Sequence, residues 1–246
     1  MSPLLDITVS QYTVNIFDYF RTSHPWFNTV DYTIPQIILF TAGALLWVAA
    51  YINTLVWIAK RQVLDIPAIA IVLNYTCEIT TGFFFLPNMG TVLVIAYWAW
   101  MVLDTFIVIS LFRYGYKQMR VEYFRQHLSL FLIVGLILCF AVQCSFIVTY
   151  DLPMAPLDSY IINLIMSVCF IYMYFIPGYE GNRKLTGWTK FFGTGLISIM
   201  FQNKYPQNFF LTSLYISCAA FDIFYLWLLY KVEAPAINMT GSESSL

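Results

Sequence analysis

Residues 66–112 read IPAIAIVLNYTCEITTGFFFLPNMGTVLVIAYWAWMVLDTFIVISLF. Two apolar runs, about 66–86 and 91–112, flank a short break at Pro87, Asn88, Met89 and Gly90, and the only acidic or basic side chains are Glu78 and Asp104. In lipid every backbone amide must be bonded inside the protein, so runs of about 20 apolar residues without strand-like alternation become membrane-spanning helices. A break this tight folds the pair into an antiparallel hairpin.

Extending the same reading gives further runs at about 35–59, 127–149, 158–177, 188–202 and 208–230, of which 188–202 is short and glycine-rich at Phe192-Gly193-Thr194-Gly195. The predicted fold is an all-α integral membrane protein of seven transmembrane helices. Composition agrees, since 60% of the 246 residues are apolar and only 10% charged, against about 25% charged in soluble domains. Residues 1–233 are expected to form one transmembrane domain, with 1–34 as an interfacial segment lacking a cleavable signal pattern and 234–246 as a disordered tail. Asp151 to Asp158, with Pro153 and Pro156, reads as the stop between the fourth and fifth runs. All five cysteines fall inside apolar runs without a C-x-x-C pair, which predicts packing residues rather than a disulfide or metal site.

Charge placement predicts the orientation. Lys60 and Arg61 follow the first run, Arg113, Lys117, Arg120 and Arg125 the third, and Arg183, Lys184 and Lys190 surround the connection after the fifth, while the opposite loops carry Lys204 and the first tail Arg21. By the positive-inside rule the N-terminus is outside or lumenal and the C-terminus cytoplasmic. The sequon Asn238-Met239-Thr240 then lies on the cytoplasmic side and stays unmodified. The expected location is a multi-pass protein of the endoplasmic reticulum membrane in a eukaryote or of the cytoplasmic membrane in a bacterium. A net charge of -1 offers no basic field for nucleic acid.

Three carboxyl groups lie deep in the runs: Glu78, Asp104 and Asp222. An acid at the bilayer centre costs about 2.5–3.5 kcal/mol on insertion scales, so each is expected to face the bundle interior and to mark function or to serve as structural glue. Helical spacing places Asn74, Tyr75, Thr81 and Gly82 on the face of Glu78. It places Tyr97 and Trp100 with Asp104, and Tyr215, Cys218, Ala219 and Tyr225 with Asp222. No lysine, arginine or histidine is expected beside these acids, and no D-D-x-x-D cluster offers magnesium ligands. The ligand is therefore expected to be neutral or cationic. A carboxylic acid that keeps its proton in an apolar aromatic pocket is a Brønsted acid poised to donate it.

Asn74-x-x-x-Glu78, Trp100-x-x-x-Asp104 followed by Arg113-Tyr114-Gly115, and Phe221-Asp222 resemble the small membrane-bound terpene cyclases of fungal meroterpenoid and indole-diterpene pathways, and similar bacterial proteins. The resemblance extends over most of the chain, in length and in the seven runs. Cys77 stands where that family usually carries a tryptophan. The resemblance implies that Glu78 and Asp222 are the catalytic acids and that a terminal epoxide or alkene of a prenylated aromatic or heterocyclic substrate is protonated and cyclised through carbocations. Asn74, Tyr97, Trp100, Asp104, Tyr215 and Tyr225 would surround the substrate, the aromatic faces stabilising the cations. Neither a metal nor another cofactor, nor an oligomer, is required by this reading. A proton-coupled small-molecule transporter and a seven-span receptor remain as alternatives, the first because intramembrane acids also relay protons.

Overall fold

The computed structural model describes residues 16–119, 121–176 and 183–231. The tail from Ala234, the sequon at Asn238, Arg120 and the first 15 residues of the interfacial segment lie outside the described residues.

The described chain is helical, with seven long segments: α1 (Ile34–Arg61), α2 (Ala68–Ile79, continued by a π-helical turn Thr80–Phe84), α3 (Thr91–Tyr114), α4 (Leu128–Tyr150), α5 (Pro156–Tyr174), α6 (Lys184–Lys204) and α7 (Phe209–Lys231). Five of them, α1, α3, α4, α5 and α7, are long and apolar enough to cross a membrane. The other two fall short for different reasons. At about 1.5 Å per residue, the 12 residues of α2 and five of its π-turn reach about 25 Å, under the ~30 Å of a hydrocarbon core. The 21 residues of α6 are long enough, but Lys184, Thr186, Gly187, Thr189 and Lys190 lower the hydropathy of its first half. That helix begins at Lys184 rather than at 188, and α5 at Pro156 rather than at 158.

Successive helices run up and down. At one end Lys117 Nζ donates to Gln62 O (2.8 Å) and Gln118 Nε2 to Ile66 O (2.9 Å), tying the α3–α4 connection to the α1–α2 connection. Arg183 lies over the Trp57 ring (4.5 Å) and Lys184 over Tyr230 (4.2 Å) at the same end. At the other end Asn28 N donates to Met89 O (2.9 Å), and Tyr205 Oη to Pro153 O (3.3 Å).

Six helices close a ring in which α1 packs on α3, α3 on α2, α2 on α5, α5 on α7, α7 on α6 and α6 back on α1. The fourth helix stands outside, leaning mainly on α2 through Gln143, whose Nε2 donates to Leu73 O (2.9 Å). Its side chains from Leu130 to Val142 are largely exposed and apolar. An exterior of this kind is what lipid covers and water does not.

The most extensive helix contact is between α1 and α6. A Cβ on Gly43 would stand 2.7 Å from Gly193 O, and one on Gly193 would stand 3.0 Å from Trp47 Cδ1. Small residues let backbones meet where no hydrophobic force drives helices together, so the glycine-rich segment is a packing surface of the ring. Gly90 has φ +117°, and a Cβ there would meet Trp26 O at 2.5 Å. This lets residues 25–28 strap the α2–α3 turn through Thr91 N to Pro25 O (3.0 Å).

Candidate functional site

Glu78 lies in the last turn of the regular part of α2. Two residues on, the helix widens into the π-turn, where Thr80 and Thr81 hydroxyls donate back to Thr76 O and Cys77 O (2.7 Å each) and Trp98 Nε1 of α3 donates to Gly82 O (2.9 Å). Such widenings recur at functional sites because they re-aim side chains. The Glu78 carboxyl points into the ring, where its Oε1 accepts from Tyr51 Oη (2.6 Å) and Asn74 Nδ2 (3.0 Å).

Asn74 also lies within donating distance of Tyr51 Oη (2.6 Å) and Asp104 Oδ2 (3.1 Å). Its amide carries two hydrogens. Three acceptors, Tyr51 Oη, Glu78 Oε1 and Asp104 Oδ2, therefore share its two hydrogens, while Tyr51 donates its own hydrogen to Glu78. A single amide thus couples the acids of α2 and α3, with α1 supplying the tyrosine.

A cavity of about 90 Å³ opens beside this cluster. Tyr51, Asn74 and Glu78 form one wall and the rings of Phe40, Trp47, Tyr97, Trp100, Tyr160 and Phe201 form much of the rest, with Asn163 and Thr194 between them. Glu78 Oε2, Trp100 Nε1, Asn163 Oδ1 and Thr194 Oγ1 are buried without a hydrogen-bond partner, and all four belong to residues lining this cavity. An unmet buried polar group costs about 1–3 kcal/mol, so four around one space call for a polar occupant there, water or a ligand.

Four of the eight sequence-predicted site residues, Glu78, Asn74, Tyr97 and Trp100, line the cavity, and Asp104 joins them through Asn74. The other three stand apart. Asp222 takes two bonds from Lys190 Nζ (2.7 and 2.8 Å), which also donates to Ser167 Oγ (2.7 Å), and the pair is nearly inaccessible at 3% and 5% side-chain exposure. Tyr215 packs edge-on against Tyr160 at 4.5 Å, and Tyr225 lies against Phe170 at 5.2 Å. None of these three lines the Glu78 cavity.

The expectation that no cation accompanies the membrane acids is therefore corrected. In sequence Lys190 follows Arg183 and Lys184 and groups with the loop charges, yet it sits two turns into α6 with its charge directed at α7. Its signal was present in the spacing, since Thr186, Lys190, Gly193 and Thr194 form a polar and small stripe at intervals of three and four. Tyr51 was missed because the first run carries no acid to draw attention to its face.

No family model, curated protein or solved structure matches this chain.

Proposed function

We propose that the chain crosses the membrane seven times with its N-terminus outside or lumenal, and that the Glu78 cavity is the active site of an acid-initiated terpene cyclase. The observation that carries the reading is Glu78 itself, with one carboxyl oxygen held by Tyr51 and Asn74 and the other unpartnered beside an aromatic cavity. Oε2 is the atom that delivers the proton. Tyr51 and Asn74 stabilise the carboxylate left behind, and Asn74 passes that change to Asp104.

In this reaction the Glu78 proton goes to a terminal epoxide oxygen or alkene carbon of a prenylated aromatic or heterocyclic substrate. The C–O or π bond breaks, the neighbouring alkene supplies the electron pair for ring closure, and the last cation loses a proton that returns, directly or through solvent, to the Glu78 carboxylate. Trp47, Tyr97, Trp100 and Tyr160 present ring faces to the migrating charge. Asp222, held by Lys190, supports the α6–α7 contact in this scheme and is not the acid.

Product analysis of membranes incubated with epoxidised and unepoxidised prenylated arenes tests the proposal. Cyclic product from the wild type, lost in Glu78→Gln, supports it; full activity in that variant refutes it.

One observation favours a second reading, a proton-coupled carrier: a buried ion pair inside the helix ring, as in intramembrane ion paths. Uptake driven by a proton gradient in reconstituted vesicles, abolished by Lys190→Met, would select the carrier.

A further inference from the structure

The Glu78 cavity is too small for the substrate class just proposed. Its volume of about 90 Å³ compares with the ~300 Å³ at the low end of small-molecule pockets. The walls show where more of the ligand goes: a neighbouring space brings the enclosed volume to about 230 Å³, and its open mouth takes the remainder. A second space of about 140 Å³ lies between α1 and α3, and two residues, Phe40 and Trp100, line both.

The two spaces differ in chemistry. The first holds the carboxyl cluster and the unpartnered polar atoms. The second is walled by Phe27, Ile37, Ala44, Leu45, Met89 and Leu93 together with the shared rings, and contains no acidic or basic side chain. It also reaches the protein surface, since Leu45 on its wall is 64% exposed on the face of α1 that turns away from the ring. All of its residues except Val48, just past the middle of α1, lie in the first half of α1 and of α3 or in the segments that precede them, so it opens toward the end of the bundle held by the N-terminal strap.

We propose that the α1–α3 groove is a lateral portal through which an uncharged, elongated, lipid-soluble ligand reaches Glu78, and that Phe40 and Trp100 form the partition its chain passes. Resting on the cyclase reading, this places the reacting chain end at Glu78, with the remainder of the chain and the head group in the groove. The unpaired polar atoms select the reacting end and the apolar groove selects a neutral body. A charged or short polar ligand gains nothing from the groove.

The test uses the full chain reconstituted in bilayers and a neutral long-chain alkyl diazirine as a photoprobe. Labelling should concentrate on residues 37–48 and 89–100, and a prenylated arene should compete it away. The exposed face of α4 from Leu130 to Val142 reports simple lipid contact. Ala44→Phe and Ala96→Phe project a ring into the groove, and groove labelling should fall at least roughly tenfold in each, the scale on which pockets reject misfitting groups. Two variants are used because Ala44 is buried and Ala96 only partly so. In turnover assays both should raise KM for a head-group-bearing substrate at least tenfold more than for the same terminal epoxide without a head group. Labelling no stronger in the groove than on α4, or unchanged in both variants, overturns the portal. Absence of cyclic product with groove labelling intact overturns the cyclase reading and leaves the portal standing.

Discussion

At the scale of single residues, one carboxyl oxygen separates chemistry from architecture. Glu78→Gln keeps the acceptor for Tyr51 and Asn74 and removes the acidic proton, so turnover should fall by about a hundred- to ten-thousand-fold with the protein still inserted. Asp104→Asn disturbs only the far side of Asn74 and should keep part of the activity; a variant as inactive as Glu78→Gln would make Asp104 a primary acid. Asp222 is expected to behave differently, because its partner is a buried ammonium. Lys190→Met or Asp222→Leu alone leaves one charge unpaired in the ring and should cost about 3–5 kcal/mol, while the double variant should recover most of it. Thermal unfolding in detergent of the two single variants and the double variant measures this coupling. Additive losses would show that the pair does not act as a unit.

The helices and their connections set where those residues meet. The α1–α6 contact depends on two glycines, so Gly43→Val and Gly193→Val should each cost at least about 1–3 kcal/mol by forcing the backbones apart. Gly135→Ala on the outer helix α4 should be near neutral, since the nearest atom a Cβ would meet is Val72 Cγ1 at 3.8 Å. In the α1–α2 connection, Asp65 is buried and receives Thr54 and Thr186 hydroxyls (3.3 and 3.2 Å). Burial pushes its carboxyl up to about 6, against the lowering effect of Thr54, Arg183 and Thr186. A carboxyl raised in the folded state binds its proton more tightly there than in the unfolded chain, so folding becomes less favourable as pH rises from about 4 to about 6. Asp65→Asn should remove its share of that slope. Thermal midpoints of wild type and variant across this window should therefore draw together at low pH and separate above it, the variant being the higher. Parallel curves would show that Asp65 does not titrate there.

For the whole molecule, the alternation of the helices and the placement of basic residues make one topological statement. Lys60, Arg61, Arg113, Lys117, Arg125, Arg183 and Lys184 lie in or beside connections at one end of the bundle, and moving Lys190 into the ring interior does not change the sign of the asymmetry. A tag at Ser2 should therefore be lumenal or periplasmic and one at Leu246 cytoplasmic. Protease protection of the two tags on the same side would rule out seven crossings. The closed ring has a further consequence: its interior mixes an acid cluster and an ion pair with aromatic walls, so the costly groups sit where helices from distant parts of the chain can satisfy them.

The helices were legible in the sequence because the demand that lipid makes of a backbone is local. A run such as 127–149 has one way to bury its amides, and α4 occupies 128–150. Glu78, Asn74, Tyr97, Trp100 and Asp104 were legible as a cluster for a related reason, since they lie on two successive helices joined by a short turn and helical spacing aligns their faces. What spacing cannot state is which face of one helix meets which face of another far along the chain. Tyr51 on α1 reaches Glu78 across 27 residues, and Lys190 on α6 reaches Asp222 across 32. Those two contacts decide that Glu78 keeps an oxygen free beside a cavity while Asp222 is neutralised by a cation. The difference between the two acids belongs to the closure of the ring, because only packing brings their partners within hydrogen-bonding distance.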